Sequence, residues 1–227
     1  MAWGARKHVM TSPRFAIAEV DVIGNRCRPR EAVVAESGVV AGTNVFALDL
    51  DAARTRLLVD PWIADAMLSR RLPGTVIVQV VERKAAAVVA MGDTFLTTSD
   101  GEPFKKLEPD DPVDLPLVTG LAAESIADDR EGTMRTIRRA IDLAAEYDHT
   151  PLAKRIPLGE VHVQPDGSFR LVVGREGMEF VMGSPPFRRK LDQAVRVVAE
   201  LDRRGTKADA VLLDNESHPE RVVVRMR

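Results

Sequence analysis

Two periodicities of apolar positions alternate along the first third of the chain. Over residues 15–23, Val20 and Val22 alternate with Glu19 and Asp21, the period of two of a half-buried strand, and Gly24-Asn25 ends the run. A helix is predicted from Pro29, a good first-turn residue, to Gly38, which suits a left-handed C-terminal position. Asp49 is placed to cap a second helix in which Leu50, Ala53 and Leu57 form one stripe, and Pro61 prevents its continuation. Alternation returns over 62–71, with Trp62, Ala64, Ala66 and Leu68 on one face and Asp65 and Ser69 on the other. Pro73-Gly74 then turns the chain into 75–83, where Val76, Val78 and Val80 pack. The order predicts an antiparallel hairpin under two helices, an α+β sandwich.

Beyond Lys84 the pattern shifts to short strands at 85–91, 95–98 and 103–107, separated by Gly92-Asp93 and by the hairpin turn Asp100-Gly101. Residues 108–116, acidic and proline-rich, read as a solvated loop. Met134, Ile137, Ile141 and Ala145 mark one helix; Leu191, Ala194, Val195, Val198 and Leu201 mark a stronger one, entered through Pro185-Pro186 and closed by Gly205. Between them Val161 and Val163, then Phe169, Leu171 and Val173, then Met178, Phe180 and Met182 alternate as a strand meander, with turns at 165–167 and 174–177. Residues 210–213 and 221–226 supply the final strands. No internal repeat or low-complexity segment interrupts this order.

With 227 residues the chain has room for two domains, each with its own core. Its 32 basic and 34 acidic residues nearly cancel, which removes any general electrostatic case for nucleic acid. The single cysteine, Cys27, excludes an internal disulfide and a Cys-based zinc site. No apolar run approaches the ~18 residues of a membrane span; the longest is 85–91. The first 14 residues carry Trp3, Arg6, Lys7 and Arg14 without a secretory apolar core, and read as a flexible leader or a membrane-proximal segment.

Chemistry-bearing patterns are sparse. His8, His149, His162 and His218 lie far apart without metal-ligand spacing, and neither a nucleophile elbow nor a phosphate-binding glycine loop occurs. Glu160 and His162 share one face of a strand, the one candidate acid/base pair, but surface strand residues are the better account. Cys27 stands just before a helix start, where a thiolate is favoured, yet no partner base accompanies it. No cofactor, metal or catalytic residue is therefore expected. Arg70-Arg71 reads as a solvated hairpin end rather than a lipid or partner contact, and the alternation places Trp62 in the core.

Short phrases in order carry a resemblance. Thr11-Ser12-Pro13-Arg14-Phe15 leads into the first strand, followed by Gly42-Thr43-Asn44-Val45-Phe46 with Asp49, by Pro61-Trp62-Ile63, and by Arg70-Arg71-Leu72-Pro73-Gly74-Thr75 with Val80-Val81-Glu82-Arg83. Asp100-Gly101-Glu102-Pro103-Phe104 and Leu115-Pro116-Leu117-Val118-Thr119-Gly120 continue the series. Together they resemble the periplasmic part of the FtsQ family of bacterial cell-division proteins, called DivIB in Gram-positive bacteria. The resemblance implies a leader over 1–14, a POTRA domain (β-α-α-β-β) over 15–84, and over 85–227 a β-rich domain with an antiparallel mixed sheet and two packed helices. It also implies a non-enzymatic scaffold at the division septum, linking early to late division proteins and binding FtsB and FtsL. The family is a single-pass inner-membrane one, so a membrane helix is expected upstream of this sequence. The alternative is a POTRA-bearing component of outer-membrane protein assembly or secretion, which tandem POTRA copies or a following barrel would mark.

A docking protein needs an open strand edge or an apolar groove. The last strand is the obvious candidate: Arg221 and Arg225 flank a valine run, offering backbone pairing and charge together. From the residues alone this is equally an ordinary edge strand whose arginines discourage aggregation; the resemblance favours partner binding. The expected contact set is Leu212, Asp214, Asn215, Arg221, Val223 and Arg225.

Overall fold

The computed structural model describes residues 9–111, 114–215, 217–218 and 221–227, and the chain divides into two compact units, Met1–Lys84 and Ala85–Arg227. Trp3, Arg6, Lys7 and His8 of the leader, Pro112 of the acidic loop, and Glu216, Pro219 and Glu220 of the tail lie outside the described residues.

In the first unit, β1 (Glu19–Ile23), α1 (Arg30–Ser37), α2 (Leu50–Leu57), β2 (Ile63–Arg71) and β3 (Thr75–Glu82) follow one another, and the sheet order is β1-β3-β2. β3 is central: it pairs with β2 antiparallel and with β1 parallel, so the two helices form the crossover that a parallel neighbour requires. Asp49 caps α2 by accepting the Ala52 N–H at 3.0 Å, and Gly38 ends α1 in the left-handed conformation, both as the sequence predicts. Val33, Ala53, Leu57, Val76, Val78 and Val80 bury together under the helices. The first strand is shorter than its pattern implies, because Pro13–Phe15 forms a 3-10 turn before it.

One expectation is overturned. A bulge between Ile63 and Asp65 puts an extra residue into β2 and shifts its alternation. Ile63, Ala66 and Leu68 are buried, Ala64 is exposed, and Trp62 is half-buried rather than central to the core. The phrases on either side are tied together by Arg83, which donates to the carbonyls of Pro61 and Ile63 at 2.8 Å each, while Asp60 accepts the Trp62 N–H at 3.0 Å. Arg70 is likewise structural: it donates to the carbonyls of Val45 and Leu48, at 2.7 and 2.5 Å, in the connection leading to α2.

The second unit is a nine-stranded mixed sheet in the order β12-β11-β10-β9-β8-β7-β4-β5-β6. Its elements are β4 (Ala87–Met91), β5 (Asp93–Thr97), β6 (Pro103–Lys106), β7 (Leu117–Thr119), α3 (Ser125–Asp128), α4 (Arg130–Asp148), β8 (Leu158–Val163), β9 (Phe169–Val173), β10 (Met178–Gly183), α5 (Arg188–Arg204), β11 (Ala208–Leu212) and β12 (Val223–Met226). The parallel pairs β7–β8 and β10–β11 are bridged by α3–α4 and by α5. A cross-strand row of Val118, Val161, Leu171, Phe180 and Val211 supports the apolar stripes of α4 and α5, including Ile137, Leu143, Leu191 and Val198, in one core. Buried Tyr147 satisfies its hydroxyl on the Ile156 carbonyl at 2.6 Å; burial pushes its pKa well above the ordinary tyrosine value.

Candidate partner-binding surface

β12 is one edge of the large sheet and β6 the other. β12 pairs antiparallel with β11 through Ala208↔Met226, Ala210↔Arg225, Val211↔Val224 and Leu212↔Val223, and no strand pairs with its other side among the described residues. In an antiparallel strand, alternate backbone groups point away from the partner, so this edge presents a short ladder of donors and acceptors.

Register decides what the edge displays. Val224 lies in line with Val211 and Phe180 of the core row, so Val223 and Arg225 point to the opposite, helix-free face. Val223 is 57% exposed. Leu212 shares that face, between Val181 on β10 and Val223 on β12. Arg225 approaches Glu179 at 3.7 Å, and Glu179 also pairs with Arg170 at 3.0 Å, so the helix-free face beside the edge carries an arginine–glutamate–arginine series. At the far end of the strand Arg227 pairs with Glu176 at 2.7 Å and with Asp209 at 3.0 Å. The Lys207 ammonium, hydrogen-bonded to Glu176, holds that carboxyl below the ordinary glutamate value, and Arg227 reinforces it.

The six expected contact residues do not form one cluster. Leu212, Val223 and Arg225 come together on one face, and exposed Arg221 lies two residues before β12. Asp214 and Asn215 belong to the connection between β11 and β12. Asn215 accepts the His218 N–H at 3.0 Å and shapes that turn; Asp214 packs its Cβ over Gly183, which has a φ of +64°. Sequence reasoning missed Arg170, Glu179 and Arg227. Arg170 and Glu179 alternate with core residues, which marks them as outward, but their pairing depends on strand register.

Glu160 and His162 do meet, with Thr119 of β7 as an unforeseen third member. The Thr119 hydroxyl donates to Glu160 and lies 2.8 Å from His162 Nδ1, which is 3.4 Å from Glu160 Oε1. These half-buried groups satisfy one another on the helix-free face of the strands. Among the described residues, no cluster of three or more His, Cys, Asp or Glu side chains is arranged to hold a metal ion, and no helix is long and apolar enough to cross a membrane.

Comparison with known proteins adds a family to this geometry. The model of the FtsQ-type POTRA domain matches residues 15–83, and that of the C-terminal region of cell division protein FtsQ/DivIB matches residues 86–215. Cell division protein FtsQ of Myxococcus fulvus is 32% identical over 229 residues, covering 100% of this chain and 80% of that protein. Its counterpart in Anaeromyxobacter is 34% identical over 202 residues, covering 89% and 68% respectively. The N-terminal domain of Omp85 from Thermosynechococcus elongatus, at 16% identity and a TM-score of 0.30 over 93% of this chain and 97% of that one, is too distant to bear on function.

Proposed function

On the premise that this chain belongs to the FtsQ/DivIB family of bacterial cell-division proteins, we propose that it is a non-enzymatic scaffold of the division machinery whose β12 edge receives FtsB, in complex with FtsL. In this reading the chain works in the periplasm at the septum, held to the inner membrane by a helix upstream of this sequence, and links early to late division proteins. The observation that supports it is the open edge of β12, with exposed Val223 and Arg225 beside it. A partner strand gains backbone hydrogen bonds from such an edge, apolar contact from the valine, and charge complementarity from the arginine if it carries carboxylates. POTRA-bearing assembly or secretion factors are the rival reading, and the match of residues 86–215 to the FtsQ/DivIB C-terminal region favours the divisome over them.

The test is binding of the purified chain to the soluble FtsB–FtsL complex of the same organism, with and without residues 214–227. Removal is expected to abolish binding while residues 15–84 keep their fold, followed by the amide spectrum of that unit. Unchanged affinity after removal overturns the site. Turnover of peptidoglycan fragments that is lost on changing Glu160 or His162 overturns the scaffold reading itself.

A further inference from the structure

A cavity of about 700 Å³ opens between the C-terminal end of α5, the segment 154–157 and the β9–β10 hairpin. Its floor is apolar, built from Ile156, Val173, Met178, Val198 and Leu201. Its rim is charged and unevenly balanced. Arg155 pairs with Asp202 at 2.5 Å and Lys207 with Glu176 at 2.5 Å, so each of those cations is already neutralised. Lys154 and Arg175, both exposed, have no ion-pair partner among the described residues. The concavity therefore combines buried aliphatic surface with two uncommitted positive charges.

We infer that this cleft is a second docking site, for an acidic amphipathic peptide segment of a partner protein, distinct from the open side of β12 although its rim residue Glu176 bonds to Arg227 just past that strand. The apolar floor rewards burial of aliphatic or aromatic side chains, and the two free cations reward carboxylates beside them. An anionic bilayer would meet the same two cations, but it is too flat to reach the apolar floor of a concavity, which a peptide side chain can enter. A peptide instead places its carboxylates selectively against Lys154 and Arg175. For a scaffold, a second surface of different chemistry allows two partners to be held at once.

The test is titration of the isotope-labelled full chain with acetyl-EELLEELL-amide, with the lysine counterpart acetyl-KKLLKKLL-amide, and with phosphatidylglycerol vesicles. The acidic peptide is expected to perturb, saturably, the amides of residues 173–178 and 198–208, and the lysine peptide to leave them unmoved. The double variant Lys154→Glu with Arg175→Glu, at two exposed positions, is expected to lose about tenfold or more in affinity for the acidic peptide while the remaining amide resonances keep their positions. Equal binding of both peptides, perturbation centred elsewhere, retained affinity in the double variant, or binding to the vesicles alone would each overturn the assignment.

Discussion

Glu82, at the end of β3, accepts the backbone N–H of Cys27 at 2.8 Å, joining residues 55 positions apart in sequence. The same carboxylate takes the N–H groups of Arg26 at 3.0 Å and Arg28 at 2.9 Å, so three successive amides of the connection from β1 to α1 converge on one side chain. Arg28 in turn pairs with Glu36 at 2.8 Å and Asp60 at 2.7 Å, which carries the connection on to α1 and to the turn before β2. The Val-Glu-Arg phrase ending β3 is thus a pair of clamps: Glu82 holds the entry to α1, and Arg83 holds the entry to β2.

This clamp predicts an acid-sensitive first unit. Burial pushes the Glu82 carboxyl up, but the amides of Cys27, Arg28 and Arg26 together outweigh it and hold the group below the ordinary glutamate value. A depressed folded-state pKa contributes stability that is present above the unfolded value, ~4.3, and is lost as pH falls through the folded value. Glu82→Gln is expected to cost about 1–3 kcal/mol at pH 7, because its single carbonyl oxygen accepts only in weaker neutral bonds and its NH2, a donor, replaces one of the two oxygens that accept the Arg26, Cys27 and Arg28 N–H groups. Denaturant midpoints across the acid range should fall more steeply for the natural protein than for the variant.

Adjacent arginines 70 and 71 are expected to behave differently. Arg70→Ala leaves the Val45 and Leu48 carbonyls without their donor and should cost about 1–3 kcal/mol. Arg71, whose side chain is 56% exposed, pairs with Asp21 at 2.5 Å on the surface, and Arg71→Ala should cost under about 1 kcal/mol. Equilibrium unfolding of the two variants side by side checks the contrast.

Gly120, which closes the Leu-Pro-Leu-Val-Thr-Gly phrase after β7, has a φ of +86°, and a Cβ there would lie 2.0 Å from the Val163 carbonyl oxygen. Gly120→Ala is expected to destabilise the second unit by about 1–3 kcal/mol, from the left-handed backbone and the collision together. Thermal unfolding monitored in the second unit, where Tyr147 is a buried reporter, provides the measurement.

Arg225→Glu tests the charge at the proposed partner edge. The side chain is 65% exposed, so solvent screens both its long 3.7 Å pairing with Glu179 and the repulsion that reversal introduces, and the fold should tolerate the change. A charge at the rim of an interface acts chiefly on encounter, and association with the FtsB–FtsL complex should slow by about threefold or more and lose salt dependence, with dissociation little changed. Association and dissociation rates at two ionic strengths separate the effects.

Much of the first unit is legible locally. The Asp49 cap, the Gly38 terminator and the valine alternation of β3 are signals within a few residues of the structure they set, and so are the stripes of α4 and α5. The bulge in β2 is not, because the residue that breaks the alternation at 63–65 is defined only by what β3 places opposite it. Of the expected contact residues, Val223 and Arg225 emerge beside an open edge, whereas Asn215 is engaged in a turn that its identity alone does not announce.

Sequence by itself determined the family, the alternation of strands and helices, and the caps and glycines that end them, since each depends on local conformation or on ordered phrases. Tertiary structure alone decided which strand lies at the edge, that Arg170, Glu179 and Arg225 form a series, that Thr119 joins Glu160 and His162, and that a cationic rim surrounds an apolar floor. Those features depend on strand order and register. Pairing between segments tens of residues apart sets both, and the local pattern of apolar positions is the same whichever neighbour a strand finds.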